Sequence, residues 1–197
     1  MFTYNACAAG CFRPAISGST LCAVHSANSE VDSARLSEQM IQQKIVRDIS
    51  AQGLQFKNLD FSLHQFYGCN FSGASFSNCL FSGVVIRVSF FDFSSFSSCD
   101  FSAGDFQFLS LAGATIQDCN FEGSELVNIN FGGAVITGSV FNKTNLYNSR
   151  FVGANIISSD FIDCNLKRTN FIDTKREGIS YKFSNTSEAI FEMEQQR

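Results

Sequence analysis

Large hydrophobic side chains recur at every fifth residue through the middle of the chain. From Phe56 to Phe171, all 24 positions of this series hold Phe, Ile or Leu. A helix repeats about every 3.6 residues and a strand every two, so neither places a five-residue series on one side. A chain that turns a corner after every five residues directs all of these side chains inward. The pattern therefore predicts a solenoid over residues 54–174 with these central residues as its core.

The residue two positions before each central residue is predominantly small. Of these 24 positions, 18 hold Ala, Cys, Ser, Thr or Gly, which lets a large and a small side chain fill a narrow tube together. A longer repeat, spanning four of the five-residue units, is also present: Ile at 116, 136 and 156, and Leu at 126, 146 and 166. In coils of four units, central residues of the same type stack on one another in successive coils. Coils of three units would instead place Phe121 against Ile136. The sequence thus predicts about six four-sided coils.

Two segments carry a family resemblance. The runs Cys69-Asn70-Phe71-Ser72-Gly73-Ala74-Ser75-Phe76 and Gly153-Ala154-Asn155-Ile156 resemble the pentapeptide repeat family, whose consensus is a small residue, Asp or Asn, Leu or Phe, and two polar residues. The resemblance implies an all-β solenoid, a right-handed quadrilateral parallel β-helix. The family serves many unrelated roles, and its members often dimerise through the C-terminal end. Some members are DNA mimics that bind type II topoisomerases and protect them from quinolones.

Both ends of the solenoid are predicted to be capped by helices. In residues 31–53, Leu36, Met40, Ile41, Ile45 and Ile49 form an amphipathic pattern that predicts a helix over 31–50, with Asp32 or Ser33 as its N-cap. In residues 175–197, Asn185 and Glu188 resemble a capping box that opens a short helix through Met193. That second helix would cap the last coil or form a homodimer contact.

Residues 1–30 contain a group of metal-binding residue types. Cys7, Cys11, Cys22 and His25 form a Cys-x3-Cys-x10-Cys-x2-His pattern with two closely spaced pairs, as tetrahedral zinc sites require. The segment resembles short zinc modules with three cysteines and one histidine that are appended to bacterial and phage proteins. The prediction is one structural zinc ion. A disordered tail with three thiols and an oxidation-sensitive thiol switch are the alternatives.

Charge and hydropathy limit the partners. The net charge of −4 argues against direct nucleic-acid binding. No apolar run is long enough to span a membrane, and no secretory signal is recognisable, so we expect a cytoplasmic protein with reduced cysteines. Two surface features are candidates for an interaction face: the acidic residues of one side of the coil, and two neighbouring outward aromatic residues. The acidic group is Asp60, Asp100, Glu122, Asp160 and Asp163, and the aromatic pair is Phe90 and Phe93.

No catalytic signature accompanies these features. The chain has only two His and no nucleophile–base pairing, and its regularly phased Gly residues suit turns and not a nucleotide site. We therefore expect a non-enzymatic, homodimeric scaffold that binds an unidentified protein, with no cofactor besides zinc. The alternative is a DNA mimic that binds DNA gyrase or topoisomerase IV, either inhibiting it or protecting it from quinolones. The acidic residues would otherwise only keep a Phe-filled rod soluble.

Overall fold

A computed structural model describes residues 4–192 and contains one helix followed by a parallel β-solenoid. Helix α1 spans Ser29–Gln42, and a single 3₁₀ turn spans Thr186–Glu188. The twelve strands are each three residues long: β1 Ile45–Arg47, β2 Gln55–Lys57, β3 Gln65–Tyr67, β4 Ser75–Ser77, β5 Val85–Arg87, β6 Ser95–Ser97, β7 Asp105–Gln107, β8 Thr115–Gln117, β9 Glu125–Val127, β10 Val135–Thr137, β11 Asn155–Ile157 and β12 Lys175–Glu177.

Every strand pairs with a strand four five-residue units away, which confirms the four-sided coil. One sheet has the order β1-β3-β5-β7-β9 and the other β12-β11-β10-β8-β6-β4-β2. In the second sheet, for example, Ile136 lies in register with Ile116 and Ile156. The two remaining faces are joined by single parallel bridges at the same spacing, such as Ser50 to Asn70 and Asp60 to Leu80. Four columns of stacked residues therefore run along the rod.

Aromatic rings fill the interior of the rod. Phe121, Phe141 and Phe161 stack one above another with ring centroids 4.7 Å apart and nearly parallel planes. Rings on adjacent faces meet edge to face, as Phe141 and Phe151 do at 83°. Only about 10 Å³ of open space remains along the axis between Ile86 and Leu126. This part of the interior is thus packed at the density expected of a protein core.

The corners of the coil have one conformation throughout. Each fifth residue from Asp48 to Phe183 has a positive φ, which lies in the left-handed region. Of these 28 corner residues, 18 are Gly, Asn or Asp, the types that adopt this region at least cost. One left-handed residue in every five turns the chain onto the next face and produces the five-residue period.

The predicted N-terminal helix has different bounds. Helix α1 ends at Gln42 instead of continuing to residue 50, and its N-cap is Asn28, whose side chain accepts hydrogen bonds from the amides of Glu30 and Val31. Leu36 and Met40 are buried as expected. Ile45 and Ile49, however, belong to the first coil, because the five-residue series already begins at Val46 and Ala51. The small Ala51 hides this start in the sequence.

The predicted C-terminal helix is absent from the described residues, and Met193 lies outside them. The chain instead continues the solenoid: β12 pairs with β11, and Phe171 donates its amide to the carbonyl of Ile190. Phe191 stacks on Phe171 at 5.2 Å, and the guanidinium of Arg176 lies 4.7 Å from the centre of the Phe191 ring. Backbone pairing with the preceding coil outweighs the local capping-box signal. The rod therefore has about seven turns and not six.

Within residues 4–192, no helix has both the length and the apolar character needed to cross a membrane.

Candidate metal centre

The N-terminal segment folds into two short turns that bring four possible metal ligands together. Residues 5–15 form a small hairpin, in which the amide of Cys7 donates to the carbonyl of Arg13 and Ala6 bridges Pro14. Gly10, at φ +76°, closes the turn after Cys7 by donating to the Cys7 carbonyl. A second turn places His25 beside Cys22, because the amides of His25 and Ser26 both donate to the Cys22 carbonyl. The hairpin supplies Cys7 and Cys11, and the second turn supplies Cys22 and His25.

The donor atoms of Cys7, Cys11, Cys22 and His25 all lie within 4.8 Å of one another. The Sγ atoms of Cys11 and Cys22 are 3.6 Å apart, and His25 Nδ1 is 3.6 Å from Cys7 Sγ and 3.5 Å from Cys22 Sγ. A tetrahedral zinc ion with Zn–S of about 2.3 Å and Zn–N of about 2.0 Å requires S···S of about 3.8 Å and S···N of about 3.5 Å. The four predicted residues could therefore hold a metal ion, and the donor set fits zinc.

The surroundings of these thiols differ from those of the core cysteines. The backbone N–H of Cys22 donates to Cys7 Sγ at 3.4 Å and lowers the pKa of the Cys7 thiol, which favours the thiolate that a metal binds. In contrast, burial raises the pKa of Cys69 in the rod to about 11. All eight cysteines are free thiols. Position separates the two groups: Cys7, Cys11 and Cys22 lie at the possible metal site, whereas the other five are small buried residues of the rod.

The N-terminal module, residues 4–26, is attached to the first coil by several contacts that no sequence pattern predicts. Ile16 is buried in the same core as the first Phe layer. Ser17 donates its amide to the Ser50 carbonyl, and its hydroxyl accepts from the Ser50 amide, each at 2.8 Å. Tyr4 donates its hydroxyl to the carbonyl of Gly68 at 3.1 Å. Together with α1, the module covers the edge of the first coil.

The structure places the predicted acidic group on one side of the rod but not as a continuous surface. Asp60, Asp100 and Asp160 share one column, in which Leu80, Asn120 and Val140 lie between them. The Asp60 carboxylate accepts a hydrogen bond from the Ser62 amide, and interactions with Ser62 lower its pKa.

Other residues of the rod form hydrogen bonds or an ion pair with the carboxylates of Asp100 and Glu122. Asp100 accepts from the Ser102 amide and the Asn120 side chain. Glu122 forms an ion pair with Lys143 at 2.9 Å, and this pairing raises the pKa of Lys143, to which Asp163 also contributes. The acidic residues are therefore spread along the face and partly neutralised.

The predicted aromatic pair lies on the opposite side of the coil, two five-residue units away from the Asp60 column. Phe90 and Phe93 both point outward from the coil that buries Phe91, with exposures of 36% and 76%. Phe93 occupies a corner at φ +57°, and its ring lies over Gly113 of the following coil.

The remaining histidine, His64, is buried, and its Nε2 lies 3.4 Å from the Ile41 carbonyl at the end of α1.

Comparison with known proteins agrees with this architecture. The pentapeptide repeats family model matches eight copies over residues 52–83, 65–102, 116–151 and 149–178. The chain belongs to the pentapeptide repeat family. No curated protein matches its sequence.

Several solved structures resemble this pentapeptide repeat protein in fold alone. A pentapeptide repeat protein from the Arabidopsis thaliana thylakoid lumen is 20% identical, with 61% of this chain and 67% of that chain covered and a TM-score of 0.37. QnrB1, a plasmid-mediated fluoroquinolone resistance protein, is 20% identical over 68% of this chain and 81% of its own, with a TM-score of 0.32. Rfr23 from the cyanobacterium Cyanothece 51142 is 14% identical over 77% and 97%, with a TM-score of 0.33.

Proposed function

We propose that this protein is a non-enzymatic scaffold that binds one structural zinc ion at its N-terminal end and presents a rigid rod to a partner protein. The observation that carries the proposal is the donor set of Cys7, Cys11, Cys22 and His25, which lie within 4.8 Å of one another and in which three separations of 3.5–3.6 Å are close to the edges of a zinc tetrahedron. With four protein ligands the site has no open position for a substrate, so zinc would act by folding the module. Between Phe61 and Leu126 the interior of the rod is filled by side chains and likewise offers no catalytic pocket.

Metal analysis tests the zinc site. We expect about one zinc per chain in the purified protein, on the basis of four ligands at one site. A Cys7→Ser/Cys11→Ser variant should lose it, whereas Cys164→Ser, which removes a buried thiol of the rod, should retain it. If the double variant retained the wild-type zinc content, the assignment of these ligands would be wrong.

Oligomeric state and compartment are part of the same proposal. The last coil leaves Tyr181 and Phe191 half-buried and Ile190 exposed, which supports a homodimer through the C-terminal end. Eight free thiols, five of them along the rod, support a reducing compartment such as the cytoplasm. Light scattering should report a dimer for the wild type and a monomer for Ile190→Asp. A wild-type monomer at micromolar concentration would contradict the dimer.

A DNA mimic that binds DNA gyrase or topoisomerase IV is the second candidate. The acidic side of the rod supports it weakly, because apolar residues interrupt the column and Lys143 neutralises Glu122. A supercoiling assay with purified gyrase is decisive. Inhibition or quinolone protection that is lost on charge reversal at Asp100 and Glu122 would favour the mimic, and neither effect at micromolar protein would eliminate it.

A further inference from the structure

The outer edge of the first coil has backbone groups that no preceding coil can pair with. Ser50 is the first residue of one column of bridges along the rod. Further along this column, a residue pairs with the coil before it, as Phe90 donates its amide to the Cys69 carbonyl and accepts from the Phe71 amide. For Ser50, the module supplies both partners: the Ser17 hydroxyl accepts from the Ser50 amide, and the Ser17 amide donates to the Ser50 carbonyl, each at 2.8 Å. Ser17 therefore replaces a missing coil at this edge.

A second serine has the same role on the neighbouring face, but it belongs to helix α1. The Ser33 hydroxyl accepts from the Gln55 amide at 3.2 Å. One coil later, the equivalent amide, that of Ser75, donates to the carbonyl of Leu54. Helix α1 has its own N-cap, Asn28, and contains none of the four possible metal ligands. Of the two pieces that cover the first coil, only the module therefore includes the metal site.

The residues with which the module contacts the rod lie between its metal ligands in the sequence. Ile16 and Ser17 belong to the loop that connects Cys11 with Cys22. Besides two of the ligands, the buried residues of the module are Ala15 and Ile16, and Ile16 packs in the core of the rod. A segment this short with so small a core usually needs a metal or disulfides to fold. We therefore expect the docked position of Ser17 to depend on the metal.

The edge that the module covers is complementary to itself. Ser50 directs both its N–H and its C=O away from the rod, toward Ser17. The groups on either side point into the rod, because the Ile49 carbonyl accepts from the Asn70 amide and the Ala51 amide donates to the Asn70 carbonyl. Two residues directly opposite each other in an antiparallel pair exchange both of their backbone hydrogen bonds. A two-fold axis at this point would let the Ser50 residues of two copies pair in that way.

From these features we infer that the edge of the first coil is a self-association surface, which the zinc-bound module keeps covered. When the metal leaves, the module detaches, and the exposed edge pairs antiparallel with the same edge of a second copy, with Ser50 at the two-fold axis. This inference rests on the proposed function, because it requires the zinc site. It differs from the proposed C-terminal homodimer, which uses the other end of the rod and does not depend on the metal.

Light scattering of the full-length protein with Ile190→Asp tests the inference, because this substitution is designed to remove association through the C-terminal end. Reducing conditions exclude intermolecular disulfides, and the mass with zinc bound is the reference. We expect a chelator to double this mass at micromolar protein, and added zinc to restore it. Cys7→Ser/Cys11→Ser should have the doubled mass without a chelator, whereas Cys164→Ser should respond to the chelator and to zinc as the parent protein does.

A matched pair of variants tests the antiparallel register. In a pair centred on Ser50, Gln52 of each copy lies opposite Asp48 of the other, so the contact occurs twice. Gln52→Asp should weaken the metal-free dimer by placing like charges opposite each other, and Gln52→Lys should strengthen it. We expect the two dissociation constants to differ at least about fourfold. Both variants change the same half-buried side chain, so each is the control for the other.

Three results would overturn the inference: an unchanged mass after the chelator has removed all zinc, aggregates of indefinite size instead of a doubled mass, or equal association of Gln52→Asp and Gln52→Lys. Metal analysis of the same samples separates the two proposals. A protein that binds no zinc contradicts the proposed function and the inference with it. A protein that binds zinc but keeps its mass after complete removal of the metal contradicts only the self-association surface.

Discussion

At the scale of single residues, the corner positions limit the sequence as strongly as the core does. Each corner requires a positive φ, yet some corners hold residues that adopt it at a cost, among them Leu63, Val88 and Phe108. The hydrogen bonds between coils maintain this conformation; the amide of Val88, for example, donates to the carbonyl of Gln107. Corner residues can therefore be strained locally while the rod as a whole remains stable.

We predict that Val88→Asn stabilises the protein. A β-branched residue is poorly suited to the left-handed region, whereas Asn adopts it readily, so the free energy of unfolding should rise by about 1 kcal/mol. Val135→Asn is the control, because Val135 is similarly exposed but lies in β10, where β-branched residues are favoured. Denaturant unfolding measures both. Destabilisation by Val88→Asn would show that its corner imposes no strain.

Substitution of a core residue should instead lower the free energy of unfolding. Phe141 is fully buried between Phe121 and Phe161, so Phe141→Ala leaves a cavity in a continuous ring stack. We expect a loss of about 3–5 kcal/mol in the free energy of unfolding. Phe183→Ala, at an exposed corner, should change it by no more than about 0.5 kcal/mol. Similar effects of the two substitutions would mean that ring stacking contributes little.

At the scale of elements, the N-terminal end of the rod is closed by two pieces that the chain supplies in succession. The module contributes Ile16 to the core and pairs Ser17 with Ser50, and α1 contributes Leu36 and Met40. Arg35 of α1 donates to the Ser17 carbonyl and joins the two pieces. An open solenoid end would expose unpaired backbone and invite edge-to-edge association. Module and helix therefore act together as one cap.

The contact of Tyr4 with the rod should appear in alkaline titration. Burial, with smaller contributions from Cys69 and Asp48, raises the pKa of Tyr4 to about 12 in the folded protein. Because the folded pKa is above the unfolded one, the stabilisation is present below about pH 10 and is lost as the pH rises through the folded value. Subtracting the tyrosinate absorbance curve of Tyr4→Phe from that of the wild type should isolate this late titration. A difference curve centred near pH 10 would indicate that Tyr4 is not docked.

At the scale of the whole molecule, the rod is a stack in which each coil contacts only its neighbours. Pairing at a spacing of four five-residue units extends from Ile45 to Ile190, and the ring stacks keep the same phase. Stability should therefore be close to a sum over coils and interfaces. One consequence is that a complete coil can be removed without disturbing the ends.

Deletion of residues 121–140 tests this directly. The deletion joins Asn120 to Phe141, so Phe141 would stack on Phe101 as Phe121 does in the complete protein. We expect a folded β-rich protein with cooperative unfolding. Deletion of residues 121–138 removes slightly less than one coil and shifts every later core position off its column. Circular dichroism and thermal unfolding should show loss of the fold in this second variant; equal folding of both deletions would argue against a fixed phase of four units per coil.

Much of the fold could be predicted because every side of the solenoid repeats the same five-residue pattern. The five-residue series, the small companion residues and the phase of four units per coil each follow from one coil resting on the next, and the structure confirms them. The ligand group Cys7, Cys11, Cys22 and His25 could also be found, because two close pairs of ligands are a local signal. The ends of the rod were predicted less well. A helical pattern at Ile45 and Ile49 and a capping box at Asn185 were both overridden by backbone pairing with a neighbouring coil.

The amino-acid pattern alone determined that the chain coils with four sides, buries its Phe residues and carries a possible zinc module. Only the tertiary structure decided where that module rests, with Ile16 in the core of the first coil and Ser17 paired with Ser50. The physical reason is distance along the chain: coil geometry arises from neighbours one unit and one coil apart, which a periodic sequence encodes. The contacts of the module join this non-repeating segment to the first coil, as Ser17 joins Ser50 over a separation of 33 residues, and no local pattern specifies them.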